Sequence, residues 1–232
     1  MMTLCKSARA MNGRKNRGVI VLGPFRSGTS LVCRILSGLG VDFGPANRML
    51  KPDLFNPGGY LQRADVRLAN RRLIRSAGSC ISWPGHPEHI AAHGDLSLLR
   101  QPDLAWRAAA PLWGIKDPRF CATLLSWLRA DTLRQSRIRI VHVMREGDAC
   151  AKSMFSMPEL ARQLRPPTLA GARKTIARYA ELAAWHAAHL DCPVFALAFE
   201  DLAARPLDCV AGLAEFAGCG DGLRIASAAR LV

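Results

Sequence analysis

The sequence predicts an α/β fold in three layers, with a central parallel sheet flanked by helices. Three observations predict it. Four short apolar runs recur along the chain, at 18–23 (GVIVLG), 112–116 (LWGIK), 138–144 (IRIVHVM) and 193–198 (PVFALA). Each is followed by a helix-compatible stretch, and strands that alternate with helices pair in parallel and are covered on both faces. At 232 residues the chain suits one well-buried domain, expected over 18–232 behind a disordered basic tail, 1–17.

The elements follow in order. After the first run comes a helix over 29–39, stopped by Gly40. Residues 41–110 are less regular. They hold the turn-forming Asn56-Pro57-Gly58-Gly59, a helix-like 64–75 and a stretch at 83–93 rich in Pro and His, read as a surface loop. Long excursions of this kind build the substrate side of a cleft in open α/β sheets. The second run leads through Pro118 into a helix over 120–130. The third leads into a helix over 147–157, stopped by Pro158. Beyond Pro166 and Pro167, a helix over 169–190 places Ile176, Tyr179, Ala183 and His186 at helical spacing.

Charge narrows the partners. Lys and Arg total 32 against 18 Asp and Glu, a net charge of +14, which attracts anions of every kind. The basic residues are spread along the chain with no groove-binding motif, so nucleic acid is not expected. Eight cysteines show no C-x-x-C pair, and Cys33, Cys121 and Cys209 sit among apolar neighbours. Reduced, buried thiols in a cytoplasmic protein are expected. The first 17 residues hold no apolar signal core, and no apolar run is long enough to span a membrane.

The densest chemical signal is Gly23 to Ser30, GPFRSGTS. An apolar strand, G-x-x-x-x-G and a helix beginning Thr29-Ser30 reproduce P-loop spacing, and with it a P-loop NTPase-like fold. Glycines allow the tight turn, loop amides point inward, and the positive helix end faces an anion. Thr29 stands where a Walker loop has Lys, and Arg26 is the cation expected to reach into the cradle. The run IRIVHVM ends in Arg145 rather than a Mg²⁺ carboxylate, and Ser153 follows eight residues later on the next helix. A P-loop kinase or NTPase and a non-enzymatic anion-binding module remain open, the former because Asp117 follows LWGIK.

Together these pieces resemble the sulfotransferases that use 3′-phosphoadenosine 5′-phosphosulfate (PAPS), in a bacterial type. RSGTS (26–30) looks like that family's 5′-phosphosulfate loop, and Arg145 with Ser153 like its 3′-phosphate pair. FNPGGYLQ (55–62), WGIKDPRF (113–120) and FEDLAARPLDCVAGLAEFAG (199–218) look like three further family motifs in the same order. The resemblance implies sulfuryl transfer from PAPS to a hydroxyl or amine of a small-molecule or carbohydrate acceptor, with no metal required. It implies that Arg26, Ser27, Gly28, Thr29 and Ser30 hold the 5′ end, that Arg145 and Ser153 hold the 3′-phosphate, and that Lys116 assists at the sulfuryl group. Gln62 departs from the pattern, since the family often carries Glu there and an amide cannot accept a proton. That leaves Asp117, Asp65 and a His from 86–93 as base candidates, with an inactive sulfotransferase-like protein as an alternative. Asp117 is equally suited to pairing with Arg119 or capping the next helix. His86, His89 and His93 have metal-like separations, but no further ligands complete a set.

Overall fold

The computed structural model describes residues 16–232. Four strands, β1 (Arg17–Leu22), β2 (Leu112–Lys116), β3 (Ile138–Met144) and β4 (Val194–Ala198), form one parallel sheet in the order β2-β1-β3-β4. The bounds of β2 and β3 coincide with the apolar runs. Residues 1–15 of the expected tail lie outside the described residues, whereas Arg17 already pairs with Leu112. Asn16 is also anchored: it accepts from Trp113 Nε1 at 2.6 Å and donates to the Ala110 carbonyl at 3.2 Å.

The strands alternate apolar side chains between two cores, which makes the three layers. Val19, Val21, Val141 and Val143 face the layer built from α1 (Thr29–Gly38), α9 (Pro206–Ala217) and α10 (Gly222–Ala229). Ile20, Leu22, Ile115 and Ile140 face α2 (Ala64–Ser76), α3 (Pro87–His93), α4 (Phe120–Arg129), α5 (Gly147–Phe155) and α7 (Leu169–His189). Two short helices, α6 (Pro158–Ala161) and α8 (Phe199–Ala204), sit after α5 and β4. The α2–α4 contact is fixed by Asn70, whose Oδ1 accepts from Trp127 Nε1 at 2.7 Å and Thr123 Oγ1 at 2.8 Å.

The stretch read as a surface loop contains α3. Pro87 stands at its first turn, where a missing N–H is harmless and the fixed φ favours the helix, so the proline starts a helix instead of breaking one. The helix over 147–157 ends at Phe155, and Pro158 begins α6. Cys33 and Cys121 are buried, Cys209 is half-buried, and seven described cysteines are free thiols. No helix among the described residues is long and apolar enough to cross a membrane.

The order β2-β1-β3-β4 puts β1 inside the sheet, with β2 on one side and β3 on the other. Ligands of open α/β sheets bind beyond the carboxyl ends of strands at such a switch point. Here those ends lead into the 23–28 loop, Lys116, Arg145 and Phe199.

Candidate active site

A cleft of about 380 Å³ opens at this edge, lined by the 25–34 segment, Lys116, Arg119 and Arg145, with residues 50–62 and the 157–160 turn as its walls. The loop after β1 is shaped by contacts that exclude side chains. Gly28 has φ 92, and a Cβ there would run into the Phe199 ring. A Cβ on Gly23 would meet the Val143 carbonyl at 2.6 Å. Gly28 is the N-cap of α1 and offers no side-chain acceptor, and the first turn carries no acid. The leading amides of α1 and its positive dipole end therefore face the cleft uncompensated.

Of the residues that the sequence assigned to the 5′ end, Arg26, Gly28, Thr29 and Ser30 line the cleft. Ser27 does not. It is fully buried, and its hydroxyl donates to the Pro24 carbonyl at 2.8 Å, so it closes the turn.

Arg26 departs from expectation in direction. It adopts φ 65, a left-handed conformation that costs a non-glycine residue about 1–2 kcal/mol. Its side chain does not fold back over its own loop. Nε donates to Ser153 Oγ at 2.9 Å, and Nη2 donates to the Phe55 carbonyl at 3.2 Å. The strained backbone is held from the other side, because Arg145 Nη1 donates to the Arg26 carbonyl at 3.1 Å. The Arg145 guanidinium also lies 4.4 Å from the Phe199 ring centroid, a cation–π contact. Arg26, Arg145 and Ser153 thus form one cluster between the loop and α5. The start of α5 is closed to an anion, since Glu146 caps it through the amides of Asp148 and Ala149.

Lys116 is almost fully buried at the end of β2 and donates to Ser30 Oγ at 3.0 Å. Burial pulls its ammonium below the ordinary lysine value, and the charges of Arg26 and Arg119 add to this; Cys33 and Asp117 oppose it. Burial also pushes the Cys33 thiol up to about 12, which keeps it neutral.

Asp117 is fully buried and does not line the cleft. Its carboxylate accepts from Gln62 Nε2 at 2.8 Å, from the Arg119 amide at 2.7 Å and from Arg119 Nη1 at 3.2 Å. That geometry suits a residue that positions Gln62 and Arg119, not a base open to substrate. Asp65 is paired with Arg63 at 2.6 Å and is likewise away from the cleft. The histidines of 86–93 lie on or beside α3; His89 Nε2 is 3.0 Å from the Ala77 carbonyl, and none lines the cleft. Among the described residues no group of three or more His, Cys, Asp or Glu is arranged to hold a metal ion.

The cleft also contains Arg34, Arg67 and Glu159, which the sequence did not flag, and Tyr60 and Arg119, which lie within two of the quoted motifs but were given no part in the cleft. Arg119 had a signal, being the last residue of the KDPR run. Arg67 had none, because its place depends on how α2 docks onto α4. Tyr60 donates to Asp53 Oδ2 at 2.7 Å, and burial together with that bond pushes its hydroxyl up to about 12.

No curated protein matches the sequence. Among solved structures, the sulfotransferase domain of the Synechococcus PCC 7002 olefin synthase superposes with a TM-score of 0.53 at 16% identity, covering 95% of this chain and 80% of that one. Retinol dehydratase, solved with androsterone and the inactive cofactor PAP, superposes with a TM-score of 0.50 at 14% identity, covering 94% and 65%. These likenesses establish a shared fold. The family described as the sulfotransferase family matches residues 18–221, from β1 to the residue before α10. A match over that span, on a sheet whose strand ends converge on one cationic cleft, means that the chain belongs to the sulfotransferase family.

Proposed function

We propose that this protein transfers a sulfuryl group from PAPS to a hydroxyl or amine of an acceptor, through one domain spanning 18–232. One observation carries the proposal: Arg26 joins the glycine loop at the start of α1 to Arg145, just after β3, and to Ser153 on α5, and we read the loop and the Arg145–Ser153 pair as two anion subsites. A nucleotide with phosphates at both its 5′ and 3′ positions would use both; ATP has no 3′-phosphate for the second. The PAP bound in retinol dehydratase supports the same ligand class.

PAPS supplies an activated sulfuryl group, and its transfer breaks the bond to the 5′-phosphate and leaves adenosine 3′,5′-bisphosphate. The residues divide the remaining work. Amides of Gly28, Thr29 and Ser30 and the dipole of α1 hold the 5′-phosphate. Arg145 and Ser153 hold the 3′-phosphate. Arg26 and Lys116 stabilise the charge that develops between acceptor and leaving oxygen, at a site fixed before reaction. Gln62, oriented by Asp117, offers an amide to the acceptor, and the proton released from the acceptor's O–H or N–H passes to solvent water.

The test is release of adenosine 3′,5′-bisphosphate from PAPS in the presence of a panel of alcohols and amines. Wild type releases it with at least one acceptor, whereas Arg26→Ala, folded by circular dichroism, does not. Equal release by both proteins would remove Arg26 from the chemistry, and no release by wild type with any acceptor would count against sulfuryl transfer.

A further inference from the structure

We propose that the acceptor carries an oxyanion (a carboxylate, sulfate or phosphate) beside its reacting hydroxyl, and that Arg67 and Arg119 recognise it. This rests on the assignment of the donor nucleotide above. Seven cationic side chains line the cleft against two carboxylates, Asp53 and Glu159. Asp53 is occupied by Tyr60 and by the amides of Phe55 and Asn56. The donor's phosphates and sulfate account for Arg26, Lys116, Arg145 and the start of α1. Four cations are left over: Arg34, Lys51, Arg67 and Arg119.

Two of these, Arg67 on α2 and Arg119 in the turn before α4, line the cleft from neighbouring helices. Arg119 is 2% exposed in the turn before α4; its Nη1 serves Asp117, while its buried Nε has no hydrogen-bond partner. A buried, unpartnered guanidinium N–H is costly, and an anionic acceptor group is the partner that relieves it best. Arg67 faces the same cleft from α2. It belongs to a row, Arg63, Arg67, Arg71 and Arg75, spaced four residues apart, so that like charges stack on one helix face. Arg63 is neutralised by Asp65. Arg67 and Arg71 have no ion pair among the described residues. The crowding is felt at Arg71, which is lowered first by burial and then by Arg119, Arg67 and Arg75, with Asp117 opposing. This concentration of positive charge between α2 and the β2–α4 turn is matched by a ligand anion rather than by the fold.

The experiment begins with adenosine 3′,5′-bisphosphate titrated into the full chain, which tests the donor site by itself. With that site saturated, calorimetry then compares paired alcohols: glucuronate with glucose, and 4-hydroxyphenylacetate with 4-methylphenol. At least one charged member is expected to bind about tenfold or more tightly than its neutral partner, the worth of one charge-assisted contact. Arg67→Gln is expected to abolish that preference while leaving the bisphosphate affinity within about twofold. Bisphosphate binding with no preference for the charged member of either pair overturns this inference and leaves the donor assignment standing. A preference that Arg67→Gln does not reduce also overturns it. Failure of the bisphosphate to bind overturns the donor assignment and this inference with it.

Discussion

Arg26 donates from Nε to Ser153 Oγ at 2.9 Å, tying the loop after β1 to the second turn of α5 across 127 residues of sequence. The two residues lie in separate motifs, and their contact makes one site of them. Ser153→Ala is expected to weaken adenosine 3′,5′-bisphosphate binding by roughly tenfold, the worth of a hydrogen bond to a charged group. Arg26→Ala is expected to lower kcat by about 100-fold or more, because it also removes charge stabilisation in the transition state. Titration calorimetry and steady-state kinetics separate the two effects. Equal losses of affinity and unchanged kcat would make Arg26 a binding residue only.

The backbone of Arg26 allows a test independent of chemistry. At φ 65 a glycine is relaxed and an alanine is not. Arg26→Gly is therefore expected to be more stable to urea than Arg26→Ala by about 1 kcal/mol, although both lose the same side chain. Equal stability would mean that the turn relaxes once the guanidinium is gone.

Much of the fold was legible because it depends on local pattern. LWGIK and IRIVHVM are short runs rich in apolar and β-branched residues, and β2 and β3 have the same bounds. The glycine loop was legible for a similar reason: backbone amides and φ values are set within eight residues. What depended on long-range docking was not legible. Spacing alone did not reveal that Arg26 points at Ser153, that Arg67 is brought to the cleft by α2, or that Gln62 closes over Asp117; the pairing of Asp117 with Arg119 was one of the two readings that the sequence offered. Pro87 misled because the same residue breaks a helix interior and favours a helix start.

Asp117 and Arg119 form a buried ion pair, so the choice of substitution matters. Asp117→Ala leaves a buried guanidinium without its partner and is expected to cost about 3–5 kcal/mol in chemical denaturation. Asp117→Asn keeps one acceptor, for the Arg119 amide, and turns an NH2 toward Gln62, which can answer by presenting its own Oε1; it is expected to retain a measurable part of kcat. A folded Asp117→Asn enzyme with no turnover and unchanged bisphosphate affinity would instead make Asp117 the proton acceptor.

Lys116 sets an alkaline limit. Its folded value lies below the ordinary 10.5 chiefly through burial, so the unfolded chain binds that proton more tightly. Its contribution to stability therefore rises as pH climbs through the folded value and is lost as pH falls back through it. Ligand binding runs the opposite way, since a phosphate beside Ser30 favours the ammonium form. Affinity for the bisphosphate is expected to fall with rising pH below the ordinary lysine range, and Lys116→Met is expected to flatten that limb. A limb that persists in the variant would belong to another group.

The central claim is a donor site built for phosphate at both ends of an adenosine. Parallel calorimetric titrations with adenosine 3′,5′-bisphosphate and with ATP–Mg²⁺ test it most directly, on wild type and on Arg145→Ala. Wild type is expected to bind the bisphosphate at micromolar concentration or below and ATP–Mg²⁺ at least about tenfold more weakly, with Arg145→Ala losing most of that difference. Tight binding of ATP–Mg²⁺ with none of the bisphosphate would contradict the claim.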